Sequence, residues 1–142
     1  MIIFFDTSAL VKRYVSETGS QKVDELFDVA SQIIVSPITK IEIISCMKRL
    51  RNDTLISQEE YIYLKKEIDF DFKYFTVLSL GHSVEENAIV LIEKYQLKTL
   101  DSIQLASCIS QKGIIDNFVA SDTKLKRSAL NENIRIIDPT EY

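Results

Sequence analysis

Five short apolar runs, each cut off by polar residues and each separated from the next by helical periodicity, constrain this chain more than any other feature. They are Ile2-Ile3-Phe4-Phe5, Gln32-Ile33-Ile34-Val35-Ser36, residues 75–80, Asn117-Phe118-Val119-Ala120-Ser121 and residues 134–137. An apolar run this short, without alternation, reads as a strand buried on both faces. Strands of that kind joined by helices make a parallel sheet covered on both sides and linked by right-handed crossovers. The expected fold is α/β in one domain over residues 1–142, a size that suits one ordinary domain.

Between the runs, the spacing predicts a short turn of helix over 9–14 and a helix over 20–30, where Val23, Leu26, Phe27 and Ala30 recur at offsets of three and four. Further helices are expected over 38–51, 57–72 and 83–95, then from 101 to before Gly113, and in a short basic stretch after Asp122. The helix over 38–51 carries apolar residues on nearly all sides and is expected to be largely buried. Ser57-Gln58-Glu59-Glu60 and Ser83-Val84-Glu85-Glu86 both read as capping boxes. Tyr61, Tyr63, Phe70, Phe72 and Tyr74 serve either the core or a partner surface.

Several function classes lose support. No apolar run approaches the roughly 20 residues that span a membrane. The N-terminus lacks a basic region and a small-residue cleavage site, so a cytoplasmic protein is expected. Cys46 and Cys108 lie inside helical patterns and read as buried thiols, neither disulfide nor zinc site. The single histidine, His82, follows Gly81 in an expected loop, and GxSxG and HExxH are absent, so imidazole and zinc chemistry have little support. A net charge of −4 argues against a surface that grips nucleic acid everywhere, while leaving room for local basic patches.

Four carboxylates remain. Asp6 ends the first strand, Asp101 opens a helix and Asp122 follows the fourth strand. Each has a plain structural reading as a helix cap, Asp101 with Gln104 at capping-box spacing. Each also stands at an element boundary, and the C-terminal ends of parallel strands are where such sheets bind ligands. Glu42 sits in the apolar helix, with Ser45 and Arg49 on its side. It is either the exposed edge of a polar stripe near Arg49 or a carboxylate held at a site, since a charge against a core is costly unless paired. If the first and fourth strands are neighbours, Asp6 and Asp122 meet at one crevice. Converging carboxylates repel unless a cation neutralises them, and hard oxygen donors select Mg²⁺ or Mn²⁺. Such ions serve phosphodiester hydrolysis.

Four blocks carry a family resemblance. Ile3-Phe4-Phe5-Asp6-Thr7-Ser8-Ala9-Leu10-Val11-Lys12, Ser36-Pro37-Ile38-Thr39-Lys40-Ile41-Glu42, Leu97-Lys98-Thr99-Leu100-Asp101-Ser102-Ile103-Gln104-Leu105-Ala106 and Phe118-Val119-Ala120-Ser121-Asp122-Thr123-Lys124-Leu125 resemble, in order, the signature blocks of PIN-domain ribonucleases. The likeness is to the VapC-type toxins of type II toxin–antitoxin systems. It implies a Rossmann-like, three-layer α/β/α PIN fold with a central parallel sheet of four to five strands. It implies a Mg²⁺ or Mn²⁺ site with Asp6, Asp101 and Asp122 as metal ligands, Glu42 completing the acidic cluster, and Thr7 and Ser8 supporting it by hydrogen bonds. It implies RNA as substrate (tRNA or rRNA), a cognate antitoxin protein and a homodimer. Ser121 before Asp122 and Ser102 after Asp101 are small departures from the family pattern. The expected products of hydrolysis are a 5′-phosphate and a 3′-hydroxyl. Lys12, Arg13, Lys124, Lys126 and Arg127 flank the acidic residues in sequence and are candidates to hold RNA phosphates, or plain solvated helix charges.

Two other enzyme readings fail on residues. An aspartyl-phosphate phosphatase needs an Asp two positions after the nucleophile, where Ser8 stands, and a receiver domain needs an acidic pair that no segment before the third strand supplies. The remaining alternative is a PIN-like module that binds RNA or protein without cutting.

Overall fold

The computed structural model describes residues 1–141. Five strands, β1 (Ile2–Phe5), β2 (Gln32–Val35), β3 (Thr76–Val77), β4 (Asn117–Val119) and β5 (Ile136–Ile137), form one sheet in the order β3-β2-β1-β4-β5, with every pair parallel. Helices α1 (Thr7–Leu10), α2 (Ser20–Val29), α3 (Thr39–Asn52), α4 (Gln58–Phe72), α5 (His82–Tyr95), α6 (Thr99–Ser110) and α7 (Thr123–Asn131) connect them.

The unalternating strands bury both faces, as the sequence predicts. Ile3, Phe5, Ile33, Val35 and Val119 pack on one side against α1 to α4, through Leu10, Leu26, Ile43, Met47 and Ile68. Phe4, Ile34, Phe118 and Ala120 pack on the other against α5 to α7, through Leu91, Leu105 and Leu125. The result is the expected three-layer α/β/α arrangement. β1 pairs with β4 in the register Ile3↔Asn117, Phe4↔Phe118 and Phe5↔Val119, so both strands end at the same level. Chain order reverses between these two strands, which opens a crevice at their C-terminal ends.

Four local expectations need correction. The third strand shrinks from 75–80 to Thr76–Val77, both exposed at the sheet edge; a short edge strand offers little unpaired backbone to other chains. Helix α3 is not largely buried: Thr39, Ile43 and Met47 are buried, whereas Ile41 is 70% exposed. One face of α3 meets the sheet, Ile44, Cys46 and Leu50 flank it half-buried against the core, and Ile41 lies at the surface. The Ser83 capping box does not form, because Gly81 takes the N-cap position and α5 starts at His82. His82 is therefore the first helical residue, its ring 3.1 Å from Glu86 one turn on. The Ser57 box does form, with reciprocal bonds to Glu60 at 3.0 and 3.1 Å. Both cysteines are free, and burial holds the Cys108 thiol well above its ordinary range.

Candidate active site

Asp6 is the residue after β1, and its backbone N–H donates to the Val119 carbonyl of β4 at 2.9 Å. This bond fixes the carboxylate at the mouth of the β1/β4 crevice. Asp6 is 4% exposed. It caps α1 by accepting from the Ser8 amide at 3.1 Å, and takes the Ser8 hydroxyl at 2.5 Å. The Ser8 Oγ in turn accepts from the Ser121 amide at 3.2 Å, tying the two strand ends together. Asp122 caps α7 through the Leu125 amide at 2.8 Å. For Asp6 and Asp122, then, the capping reading holds, and each cap also faces the crevice.

Asp101 differs. Helix α6 begins at Thr99 with Lys98 at the N-cap position, so Asp101 lies inside the first turn and caps nothing. Glu42, in the first turn of α3, is half-buried and accepts from the Thr7 hydroxyl at 2.8 Å. The Arg49 guanidinium donates to Ser45 Oγ at 2.8 Å rather than to Glu42.

Asp6, Glu42, Asp101 and Asp122, with Thr7, Ser8, Val11, Cys46 and Arg49, line one cleft of about 290 Å³. Among the described residues, none of the four carboxylates is in an ion pair. The electrostatic consequence falls on Asp6, whose carboxyl is pushed up to about 7 by burial, against the Ser8 bonds and with the charges of Asp101 and Glu42. Asp101 is also raised, by burial and then by Asp122 and Glu42, while Lys98 and Lys124 pull it down.

The donor set is all oxygen and its chemistry suits Mg²⁺ or Mn²⁺. Among the described residues, however, no three His, Cys, Asp or Glu side chains are gathered closely enough, as they stand, to hold an ion. A cation bound among these carboxylates would offset their mutual repulsion.

The flanking cations divide. Lys12 is 9% exposed and paired with Glu17 at 3.0 Å. Arg13 is held by Asp24 and Asp71, and Lys126 by Asp138 and Glu141. Lys124 reaches the Gln96 carbonyl at 2.6 Å while its field acts on Asp101, and Arg127 is exposed. Arg49, expected beside Glu42, lines the cleft; Lys98, whose charge acts on Asp101, and Gln104, beneath the cleft, carry no signal in the sequence that assigns them to the site.

An acidic crevice at the switch point of a parallel three-layer sheet places the chain among α/β proteins that bind ligands at the C-terminal ends of their strands. The PIN domain profile matches residues 3–130, so the chain belongs to the PIN domain family, whose members are in general nucleases. A toxin–antitoxin complex from Klebsiella pneumoniae is similar at 18% identity over 96% of this chain and 97% of that one, with a TM-score of 0.69. FitAcB from Neisseria gonorrhoeae is 12% identical over 99% of both chains, TM-score 0.71. VapBC2 from Rickettsia felis, bound to a DNA fragment from its promoter, is 14% identical over 96% of this chain and 98% of that one, TM-score 0.66. At these identities the likeness is one of fold. No curated protein matches the sequence.

Proposed function

We propose that the chain, a single PIN domain over 1–142, is a Mg²⁺- or Mn²⁺-dependent endoribonuclease and the toxin of a toxin–antitoxin pair. The observation that carries this reading is the single cleft lined by four carboxylates from four separate segments, none of them in an ion pair among the described residues. Asp6, Asp101 and Asp122 would hold the ion, and Glu42 would complete the acidic cluster. When bound, the ion supplies charge neutralisation and an acidified water for in-line attack on phosphorus.

The chain's own residues do the rest. Ser8 holds Asp6, and Thr7 holds Glu42. Arg49, Lys98 and Lys124 receive the phosphates on either side of the scissile bond, with Arg127 as an outer contact. Lys12, Arg13 and Lys126 are already committed to carboxylates and are left out of this role. Hydrolysis breaks the bond from phosphorus to the ribose 3′-oxygen, which leaves as a hydroxyl.

The toxin role draws on the similar structure from Klebsiella pneumoniae, a toxin–antitoxin complex. An antitoxin partner and a homodimer fit two apolar surfaces. Ile38, Ile41 and Leu100 line a shallow cavity of about 490 Å³ beside Glu42, and Tyr63, Phe70 and Tyr74 stand exposed on and after α4. A cytoplasmic location agrees with the absence, among the described residues, of a helix long and apolar enough to cross a membrane.

The second reading, a PIN module that binds without cutting, is favoured by the separation of the carboxylates. Cleavage of a mixed tRNA and rRNA pool with Mg²⁺ or Mn²⁺, against EDTA, separates the two. Metal-dependent cuts with 5′-phosphate ends support the nuclease. A 2′,3′-cyclic phosphate would contradict the mechanism, because it reports attack by the neighbouring 2′-hydroxyl.

A further inference from the structure

Gln104 is a buried polar side chain with one end of its amide paired and the other orphaned. It lies on α6 one turn beyond Asp101 and is 1% exposed. Its amide nitrogen stands 2.8 Å from Thr7 Oγ1, 3.0 Å from Glu42 Oε1 and 3.1 Å from Thr39 Oγ1. The Glu42 carboxylate only accepts, and the Thr7 hydroxyl gives its proton to Glu42. The nitrogen, not the oxygen, must therefore face both. That orientation leaves the amide oxygen buried with no hydrogen-bond partner. An orphaned buried carbonyl is a cost that an apolar side chain of the same length would avoid. What the position gains from glutamine is the donor.

The donor bridges three segments that carry acidic groups of the cleft. Gln104 shares α6 with Asp101, Thr7 follows Asp6, and Glu42 sits on α3 with Thr39 one turn before it. Glu42 is half-buried near other negative charges, and nothing cationic pins it among the described residues. Two donors, Thr7 and Gln104, converge on its Oε1.

We infer that Gln104 is a positioning residue, whose amide N–H, directly and through Thr7, fixes the Glu42 carboxylate in the cleft it shares with Asp6, Asp101 and Asp122. The consequence for catalysis rests on the nuclease reading; the positioning itself does not.

The test uses Gln104→Met, which keeps the length and removes the donor, together with Glu42→Ala and the double variant. In single-turnover RNA cleavage at saturating metal, Gln104→Met lowers the rate constant by about ten- to a hundredfold, the range typical of groups that orient ligands, while RNA affinity changes by less than about twofold. The double variant is no slower than Glu42→Ala alone. Losses that multiply would overturn the inference, since a merely structural role adds to that of Glu42. The second arm needs no activity. In the wild-type NMR spectrum the Gln104 side-chain amide is protected from solvent exchange, and Glu42→Ala shifts its resonances. An exchanging amide, or one indifferent to Glu42→Ala, would refute the contact. If the wild type cuts no RNA, the nuclease reading fails and this arm alone decides the positioning.

Discussion

Replacing Asp6 by asparagine should stabilise the metal-free protein at neutral pH, although it removes a residue at the centre of the site. Asp6 titrates near 3.8 in the unfolded chain, and burial, opposed by Ser8, pushes it up to about 7 in the fold. The folded state therefore holds a proton that the unfolded state has released anywhere between these values. The stability this raised carboxyl contributes is fully present below the unfolded value and is lost as pH rises to and through about 7. At about 1.4 kcal/mol per unit, the interval amounts to on the order of 4 kcal/mol lost by pH 8. Asparagine caps a helix as well as aspartate does, so the Ser8 amide keeps an acceptor, and only the buried charge disappears. Its extra N–H groups need partners, which reduces the gain to about 2–4 kcal/mol. Urea unfolding of both proteins in EDTA from pH 4 to pH 8, followed by circular dichroism, measures the difference. Asp6→Asn should gain on the wild type by up to about 1.4 kcal/mol per pH unit across the interval. A difference that is flat with pH, or an Asp6→Asn protein less stable than wild type at pH 8, would refute the reasoning.

Other consequences follow from the same geometry. With Asp6 a ligand as proposed, a proton would compete with the cation for its carboxylate, and Mn²⁺ affinity measured by calorimetry should weaken as pH falls below about 7. Arg49→Ala should raise KM for RNA with little effect on kcat, and reduce the slope of log KM against log salt by about 1. Outside the site, Gly19 has φ +96°, and a Cβ there would lie 2.9 Å from the Pro139 carbonyl oxygen. Gly19→Ala should therefore destabilise the fold by about 1–3 kcal/mol in urea titrations, leaving metal affinity unchanged.

The layers and the acidic residues were legible in the sequence because they follow from local pattern. Unalternating strands such as Ile3-Phe4-Phe5 bury both faces, and a carboxylate placed directly after a strand, as Asp6 and Asp122 are, lands at the sheet's C-terminal edge whatever else the chain does. Asp101 was ambiguous only while the helix start was unknown; with α6 beginning at Thr99, the capping alternative disappears.

What was not legible depends on contacts between distant segments. Gln104 reads in sequence as a capping partner of Asp101, and nothing local says that its amide meets Thr7 and Glu42, 97 and 62 residues away. Lys12 was expected on a short turn of helix over 9–14 as a candidate phosphate contact; the turn is 3-10 at Val11–Arg13, and Lys12 lies buried against Glu17. The apolar residues around α3 read as burial on nearly all sides, but Ile41 is exposed and Ile44, Cys46 and Leu50 are only half-buried, because hydrophobicity alone does not fix which face meets the core.

In the proposed function, the four carboxylates that share one cleft are neutralised together by a divalent cation. Thermal unfolding of wild type and Asp101→Asn, each with and without Mn²⁺, tests it most directly, since it requires neither the RNA target nor a partner. Mn²⁺ should raise the Tm of the wild type and leave that of Asp101→Asn unchanged. A wild-type Tm indifferent to Mn²⁺, or an equal rise in both proteins, would contradict it.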